Sequence, residues 1–302
     1  MEIINNEFVL RTMLFVPAHK KKLIENASKT KADSLVLDLE DSCLPIFEKP
    51  NGRKNIVESL KAGIFGKKKI FVRLNPRNTG FMWDDITTVT INELDGFLYP
   101  MAGSKDDIIF FNDLLDEIEM SKKIDIGKIK IFPVIETGEG IMNAFEIANA
   151  SKRIVALGFG SEDFATDIQC IRDEDNESIF IARQRIVFAA RSAGAIPIDT
   201  PHIKVHDTKG LEKHVSQART LGFGGMQILH PKEIDICHKY YSYSKEEALE
   251  CYKIIKLFQK AQNEGSGVAI LDGRFISPPT YKRAVKIIEN YELLNKFIKK
   301  EG

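Results

Sequence analysis

Short apolar runs recur along the chain, each followed by a polar turn and then a longer amphipathic stretch. The runs cover residues 13–16, 35–39, 70–74, 96–99, 131–135, 154–157, 195–198 and 226–229. Rich in Val, Ile, Leu and Phe and too short for helices, they predict strands. Between them, residues 105–120, 138–150, 178–191 and 209–221 carry apolar side chains at three- and four-residue spacing and predict helices.

Strand alternating with helix implies parallel strands joined by helical crossovers, and near-continuous apolar strands imply a sheet covered on both faces. Eight such units within roughly 230 residues fit a (β/α)₈ TIM barrel better than an open doubly wound sheet. The doubly wound alternative would place a Gly-x-Gly-x-x-Gly turn after the first strand, where this chain has Pro17-Ala18-His19. After residue 232 the pattern changes. A polar helix over 245–262 leads through Gly265-Ser266-Gly267 to a hairpin turning at Asp272-Gly273, and a last helix runs from Pro279 to about 300. The expected organisation is a barrel domain over 1–232 and a helical and hairpin extension over 233–302 that packs on its own barrel or a neighbouring subunit.

Composition fits that picture without enlarging it. Of 302 residues, 43% are hydrophobic and 28% charged, enough for a full core without metal or disulfide support. Lys plus Arg number 43 and Asp plus Glu 43, which argues against a dedicated nucleic-acid binder. Cys43, Cys170, Cys237 and Cys251 lie far apart with no metal-binding spacing, and read as buried thiols in a reducing compartment. The first residues carry Glu2 and Glu7 rather than a basic then apolar leader, and no apolar run approaches the roughly 18 residues that span a bilayer. A soluble, cytoplasmic protein is expected.

In such a barrel the site forms at the C-terminal ends of the strands, so the polar residues after each run are the candidates. They are Asp38, Glu40 and Asp41; Arg73 and Asn75; Glu136; Glu162 and Asp163; Asp199; and His230. Acids converging on one mouth raise one another's pKa unless a cation lies among them. Glu136 and Asp163 stand at glycine-rich strand tips with no His or Cys nearby in sequence, so Mg²⁺, or Mn²⁺, is the fitting metal. Any one of these acids is equally readable as a helix cap or surface pair.

Seven ordered blocks carry a resemblance. They are Arg11-Thr12-Met13-Leu14-Phe15-Val16-Pro17-Ala18, Leu37-Asp38-Leu39-Glu40-Asp41-Ser42, Val72-Arg73-Leu74-Asn75, Asp95-Gly96-Phe97-Leu98-Tyr99-Pro100, Ile135-Glu136-Thr137-Gly138-Glu139-Gly140, Gly158-Phe159-Gly160-Ser161-Glu162-Asp163-Phe164 and Leu221-Gly222-Phe223-Gly224-Gly225-Met226-Gln227-Ile228-Leu229-His230-Pro231. Collinear from about residue 11 to residue 290, the chain resembles the citrate lyase β-subunit-like proteins of the HpcH/HpaI aldolase group. The resemblance implies a homotrimeric or hexameric barrel that binds Mg²⁺ and cleaves a 3-hydroxy-acyl thioester of the citryl-, malyl- or citramalyl-CoA type. The products would be an acetyl-thioester and a 2-oxo acid, with coenzyme A or an acyl carrier bearing the thioester. It makes Glu136 and Asp163 metal ligands, Arg73 and Glu136 substrate-binding, Arg73, Glu40 and Asp41 the residues of the catalytic pocket, and Asp38 an orienting group. A metal-dependent aldolase on free 2-oxo acids is the alternative.

The chain departs from that pattern in three places. Family lyases often end a tail motif in Asp, supplied by a neighbouring subunit as acid/base. Here the run is Asp272-Gly273-Arg274-Phe275-Ile276-Ser277-Pro278-Pro279, with Ser277 at the acid's position. A serine has no pKa near neutrality, so a binding or regulatory role without turnover is a further alternative. Met101 and Met226 stand where relatives often have lysine, which would strip positive charge from the rim. His230-Pro231 reads as a turn. His19 with Lys20, Lys21 and Lys22 reads as a solvated face or a phosphate contact, Lys67-Lys68-Lys69 as surface, and Arg183 with Arg185 as residues that could serve a subunit interface.

Overall fold

The computed structural model describes residues 8–173 and 175–301. Eight parallel strands close into a barrel in sequence order: β1 (Thr12–Pro17), β2 (Ser34–Asp38), β3 (Lys69–Arg73), β4 (Gly96–Tyr99), β5 (Lys130–Ile135), β6 (Ala156–Phe159), β7 (Ile196–Asp199) and β8 (Gly225–Ile228). The helices of this part are α1 (Lys21–Ser28), α2 (Lys49–Lys61), α3 (Met82–Val89), α4 (Lys105–Lys122), α5 (Gly138–Met142), α6 (Ala144–Ala148), α7 (Ser161–Asp167), α8 (Phe180–Ser192), α9 (Thr208–Leu221) and α10 (Ile234–Tyr241). The fold is a (β/α)₈ TIM barrel, as the alternation of runs implies.

Strand register decides which side chains meet at the mouth. Asp38 pairs with Arg73 across β2 and β3, and Ile135 with Phe159 across β5 and β6. The barrel interior is filled by Met13, Val36, Phe71, Leu98, Phe132 and Ile198, with the Phe71 and Phe132 rings edge to face at 5.9 Å. Two elements differ from the sequence pattern. The helix expected over 138–150 divides at Asn143, whose side-chain amide donates to the Gly103 carbonyl at 2.8 Å. The sixth strand starts at Ala156, while Ile154 makes only an isolated bridge to Ile131.

The chain forms two compact units, Met1–Lys239 and Tyr240–Gly302. The barrel unit runs past the boundary at 232 because the start of α10 still packs on it: Cys237 is buried, and His238 Nε2 lies 3.2 Å from Thr12 Oγ1. The second unit comprises α11 (Lys245–Asn263), an antiparallel hairpin of β9 (Ala269–Leu271) and β10 (Arg274–Ile276), and α12 (Pro278–Glu301). Asp272 and Gly273, both at positive φ, form its two-residue turn. Its helices join through Ala248, Cys251, Ala284 and Ile288, and Phe258 stacks on Tyr281 at 4.8 Å. Ile270 and Phe275 are exposed. Among the described residues no helix is long and apolar enough to cross a membrane. All four cysteines are free; Cys170, expected to be buried, is only partly so.

Candidate active site

Arg73, the last residue of β3, organises one side of the mouth. Its Nε and Nη2 each donate to Asp38 at 2.7 Å, and its Nη1 reaches Glu40 Oε2 at 2.8 Å and Asp41 Oδ2 at 3.0 Å. The guanidinium also lies over the Phe15 ring, 5.2 Å from its centroid. Asp38 is fully buried and accepts further bonds from the Glu40 and Ser42 amides and the Ser42 hydroxyl. Burial alone would raise its carboxyl, but the Arg73 charge and these donors outweigh it and hold the group below its ordinary range. Asp38 therefore stays ionised and orients both the arginine and the turn that carries Glu40.

Lys49, on α2, was not apparent from the sequence. Its buried ammonium donates to the Leu39 carbonyl at 2.7 Å, the Glu40 carbonyl at 3.1 Å and Asn75 Oδ1 at 2.6 Å, tying the tips of β2 and β3 together. Asn75 in turn donates to Asp85, which pairs with Arg53. Pro50 marks the start of this helix but does not say where Lys49 points.

Glu136 lies just beyond β5, and its Oε2 accepts the Met101 amide at 2.8 Å. Its other side presses on Gly160, where an added Cβ would come within 2.9 Å of the Glu136 carboxyl carbon. Asp163 occupies the first turn of α7. Burial pushes Glu136 up to about 7 against the Met101 hydrogen bond, with repulsion from Asp163 adding. Burial likewise raises Asp163, with Asp41 adding and Arg73 opposing. Glu40 is pushed up to about 8, first by burial, despite the Arg73 charge and with Asp41 and Glu136 adding. These mutual effects place Glu40, Asp41, Arg73, Glu136 and Asp163 around one mouth.

Five acids, Asp38 included, face one arginine there, and three of them bear raised pKa values. Acids crowded in this way resist ionising together, and a bound cation would relieve their repulsion. The donors are all carboxylate oxygens, which suit Mg²⁺ or Mn²⁺ and not a soft metal. No group of three or more His, Cys, Asp or Glu among the described residues is arranged to hold a metal. A cation at Glu136 and Asp163 would thus take two protein ligands and complete its shell with water or substrate, the habit of Mg²⁺. The residues fit the group.

Other candidates fall outside the mouth. Asp199 is buried between Arg183, which binds it through Nε at 3.1 Å and Nη2 at 2.5 Å, and His214 Nε2 at 3.2 Å. Arg183 is therefore an internal residue and not an interface one, because its charge is needed to bury Asp199. Met226 is fully buried within β8, so it removes no charge from the rim. Glu162 pairs with Arg172 at 3.1 Å. His230 Nδ1 accepts the Lys232 amide at 3.1 Å and fixes the turn after β8. Lys21 pairs with Glu58 at 2.8 Å, while Lys20 and Lys22 are exposed. Lys69 is half-buried, paired with Asp95 at 2.9 Å and set over the Phe8 ring, rather than free surface. In the tail, the Ser277 hydroxyl lies 3.2 Å from that of Thr280, at the start of α12.

A family model described as HpcH/HpaI aldolase/citrate lyase matches residues 11–231. The chain is 30% identical over 285 residues to the citrate lyase subunit beta of Leuconostoc mesenteroides subsp. cremoris, covering 94% of each. It is 28% identical over 303 residues to the L-malyl-CoA/beta-methylmalyl-CoA lyase of Rhodobacter capsulatus, covering 94% of this chain and 95% of that one. Among solved structures, a citrate lyase from Burkholderia xenovorans LB400 superposes with a TM-score of 0.85 at 16% identity, covering 95% of this chain and 93% of the other. CitE from Mycobacterium tuberculosis, in complex with magnesium, acetoacetate and coenzyme A, gives 0.74 at 22% identity, covering 95% and 99%. These structural likenesses establish the shared fold.

Proposed function

The chain belongs to the HpcH/HpaI aldolase/citrate lyase family, and from that premise we propose that it is a carbon–carbon lyase dependent on Mg²⁺. Its substrate would be a 3-hydroxy-acyl thioester of the citryl-, malyl- or citramalyl-CoA type, cleaved to an acetyl-thioester and a 2-oxo acid. The observation that carries the reading is the surplus of carboxylates around Arg73, with buried Glu136 and exposed Asp163 making no ion pair with a cationic side chain among the described residues. Its relatives are named as lyases acting on citrate or on malyl-CoA and methylmalyl-CoA.

Glu136 and Asp163 would hold the metal, which when bound supplies Lewis-acid stabilisation of the oxygen that turns from hydroxyl to carbonyl. Arg73 would bind the carboxylate of the oxo-acid half through its Nη1 side, once Asp41 gives way, while Nε and Nη2 stay on Asp38. Asp41 suits that part, since its side chain is 72% exposed whereas that of Asp38 is 1% exposed. Glu40 and Asp41 would hold or move the hydroxyl proton. Lys49 keeps Glu40 in position by gripping the backbone on either side of it.

The same reading includes a homotrimer or hexamer acting in the cytoplasm. Supporting self-association, Met142, Phe145, Ile181 and Phe188 expose apolar surface on the outer helices α5, α6 and α8. A non-catalytic reading, binding metal and oxo acid without turnover, is favoured by Ser277 alone. The test is a panel of citryl-, malyl- and citramalyl-CoA with and without Mg²⁺, alongside isothermal titration of Mg²⁺ and Mn²⁺. Metal-dependent release of a 2-oxo acid is expected, and Glu136→Gln should weaken metal binding and turnover together. Unchanged metal affinity and turnover in Glu136→Gln would overturn the assignment. Stabilisation by oxaloacetate with Mg²⁺, but no cleavage of any thioester, would favour the non-catalytic reading.

A further inference from the structure

We propose that Met101 is a positioning residue that sets the Glu136 carboxylate through its backbone N–H and presents Oε1 to a divalent cation. The inference rests on the reading of Glu136 and Asp163 as the metal pair. Met101 follows β4 and Pro100, and its backbone is left-handed, with φ of 52°. Only a small fraction of residues other than glycine adopt that region, and those that do cluster where surrounding structure imposes it.

Here the neighbours on its C-terminal side are pinned. The Ala102 amide donates to the Val134 carbonyl of β5 at 3.0 Å. The Gly103 carbonyl accepts from the Asn143 side chain at 2.8 Å, and Ser104 with Asp107 forms the capping box of α4. The start of α5 closes over the same segment, for a Cβ on Gly140 would stand 2.6 Å from the Ala102 carbonyl oxygen. With the chain after it held by β5, α4 and α5, Met101 takes the left-handed turn that aims its amide at Glu136 Oε2, 2.8 Å away.

Opposite this donor, Gly160 at the tip of β6 leaves room for the carboxylate; an added Cβ would meet the Glu136 Cγ at 2.5 Å. Glu136 is therefore clamped between the β4 loop and the β6 tip. Oε2 is engaged by the amide, and Oε1 lies on the β6 side, from which α7 and Asp163 follow directly. A carboxylate already ordered by a charge-assisted hydrogen bond loses less freedom when a metal arrives. The role belongs to the backbone, and the Met101 side chain, half exposed, takes no part in it.

The test measures Mn²⁺ binding by titration and by the electron paramagnetic resonance spectrum of the bound ion, using the full chain. Replacing the residue 101 amide by an ester, with the α-hydroxy analogue of methionine introduced by nonsense suppression, removes the N–H and keeps the side chain. Affinity should fall by roughly ten-fold or more, the usual effect of losing an outer-shell partner. Met101→Lys and Met101→Gly should bind as the wild type or more tightly, and Met101→Ile, which resists positive φ, should bind more weakly. Metal-free melting temperatures recorded in parallel separate folding from binding. An ester variant that melts lower yet keeps the wild-type Mn²⁺ affinity and spectrum, while Glu136→Gln loses both, overturns the role of Met101 alone. If Glu136→Gln binds Mn²⁺ as the wild type does, the metal reading falls and this inference with it.

Discussion

Arg73 and Asp38 meet through two parallel hydrogen bonds of 2.7 Å, one from Nε and one from Nη2. Adjacent in the β2–β3 register, they form the base on which the rest of the mouth is arranged. Lysine cannot reproduce the fork, since it offers a point charge. Arg73→Lys should remove one of the two charge-assisted bonds to Asp38, whose oxygens keep their Glu40 and Ser42 donors, costing about 1.5–3 kcal/mol of stability. Oxaloacetate binding in the presence of Mg²⁺ should weaken at least about ten-fold, the equivalent of 1.4 kcal/mol. Thermal melts and competition titration check both; retention of wild-type binding would show that the Arg73 guanidinium is not what recognises the ligand.

Asp41 is the opposite case. Its contact with Arg73 Nη1 at 3.0 Å joins a largely exposed carboxylate to a buried guanidinium. Exposed pairs contribute at most about 1 kcal/mol. Asp41→Asn should therefore change the melting temperature little while removing one of the two carboxylates on Nη1, Glu40 remaining, and should tighten oxo-acid binding. Weaker binding in this variant would mean that Asp41 contacts the ligand rather than holding its place.

Strand positions were legible because a closed parallel sheet is buried on both faces, so each strand is an uninterrupted apolar run. The run 96–99 coincides with β4. The sixth strand slipped because Gly158 interrupts its apolar pattern while Ile154 and Val155 extend it backwards. The position of a residue at a strand tip could be read, but not the direction of its side chain, which depends on register. Asp199 and Glu136 look alike in sequence, yet Asp199 turns away to Arg183 and His214 while Glu136 faces Gly160. Lys49 was missed because its three acceptors lie in two loops, after β2 and after β3, distant from it in sequence, and Met226 was misread as a rim residue because burial is not written in a single position.

The buried pair of Asp199 and Arg183 predicts a pH dependence. Burial raises the Asp199 carboxyl, but the charge of Arg183 and the hydrogen bonds of His214 and Arg183 hold it down to about 2, against an ordinary 3.8. A folded value below the unfolded one gives stability that is fully present above about 3.8 and is lost as pH falls through 2. The difference corresponds to about 2 kcal/mol. Urea denaturation from pH 6 down to the acid limit of folding should show the advantage of wild type over Asp199→Asn shrinking below pH 4. A gap independent of pH would mean that the carboxyl is not ionised in the fold.

Gly160 provides a steric test of the Glu136 position. Alanine there would drive a methyl into the Glu136 Cγ, which stands 2.5 Å from the methyl's place. Overpacking of this kind costs typically about 1–3 kcal/mol. Because the Met101 amide holds Oε2, Glu136 cannot yield without breaking that bond. Gly160→Ala should accordingly weaken Mn²⁺ binding by more than its loss of stability alone explains. Equal metal affinity in the two proteins would place the ligand oxygen elsewhere.

Ser277 stands where the resemblance leads one to expect an acid, and in the structure it precedes Pro278 at the start of α12 with its hydroxyl beside that of Thr280. Its carbonyl accepts the Tyr281 amide at 3.0 Å, which makes it the cap of that helix. Serine and aspartate are about equally good in that position, and a negative charge is favoured at a helix N-terminus. Ser277→Asp should therefore fold with unchanged or slightly higher stability, which makes activity the informative readout. If the missing carboxylate is what limits turnover, the variant should cleave malyl-, citramalyl- or citryl-CoA faster than wild type, with the gain appearing in kcat and not in KM. Brisk cleavage by the wild type, unaffected by Ser277→Asp, would instead assign proton transfer to the acids around Arg73.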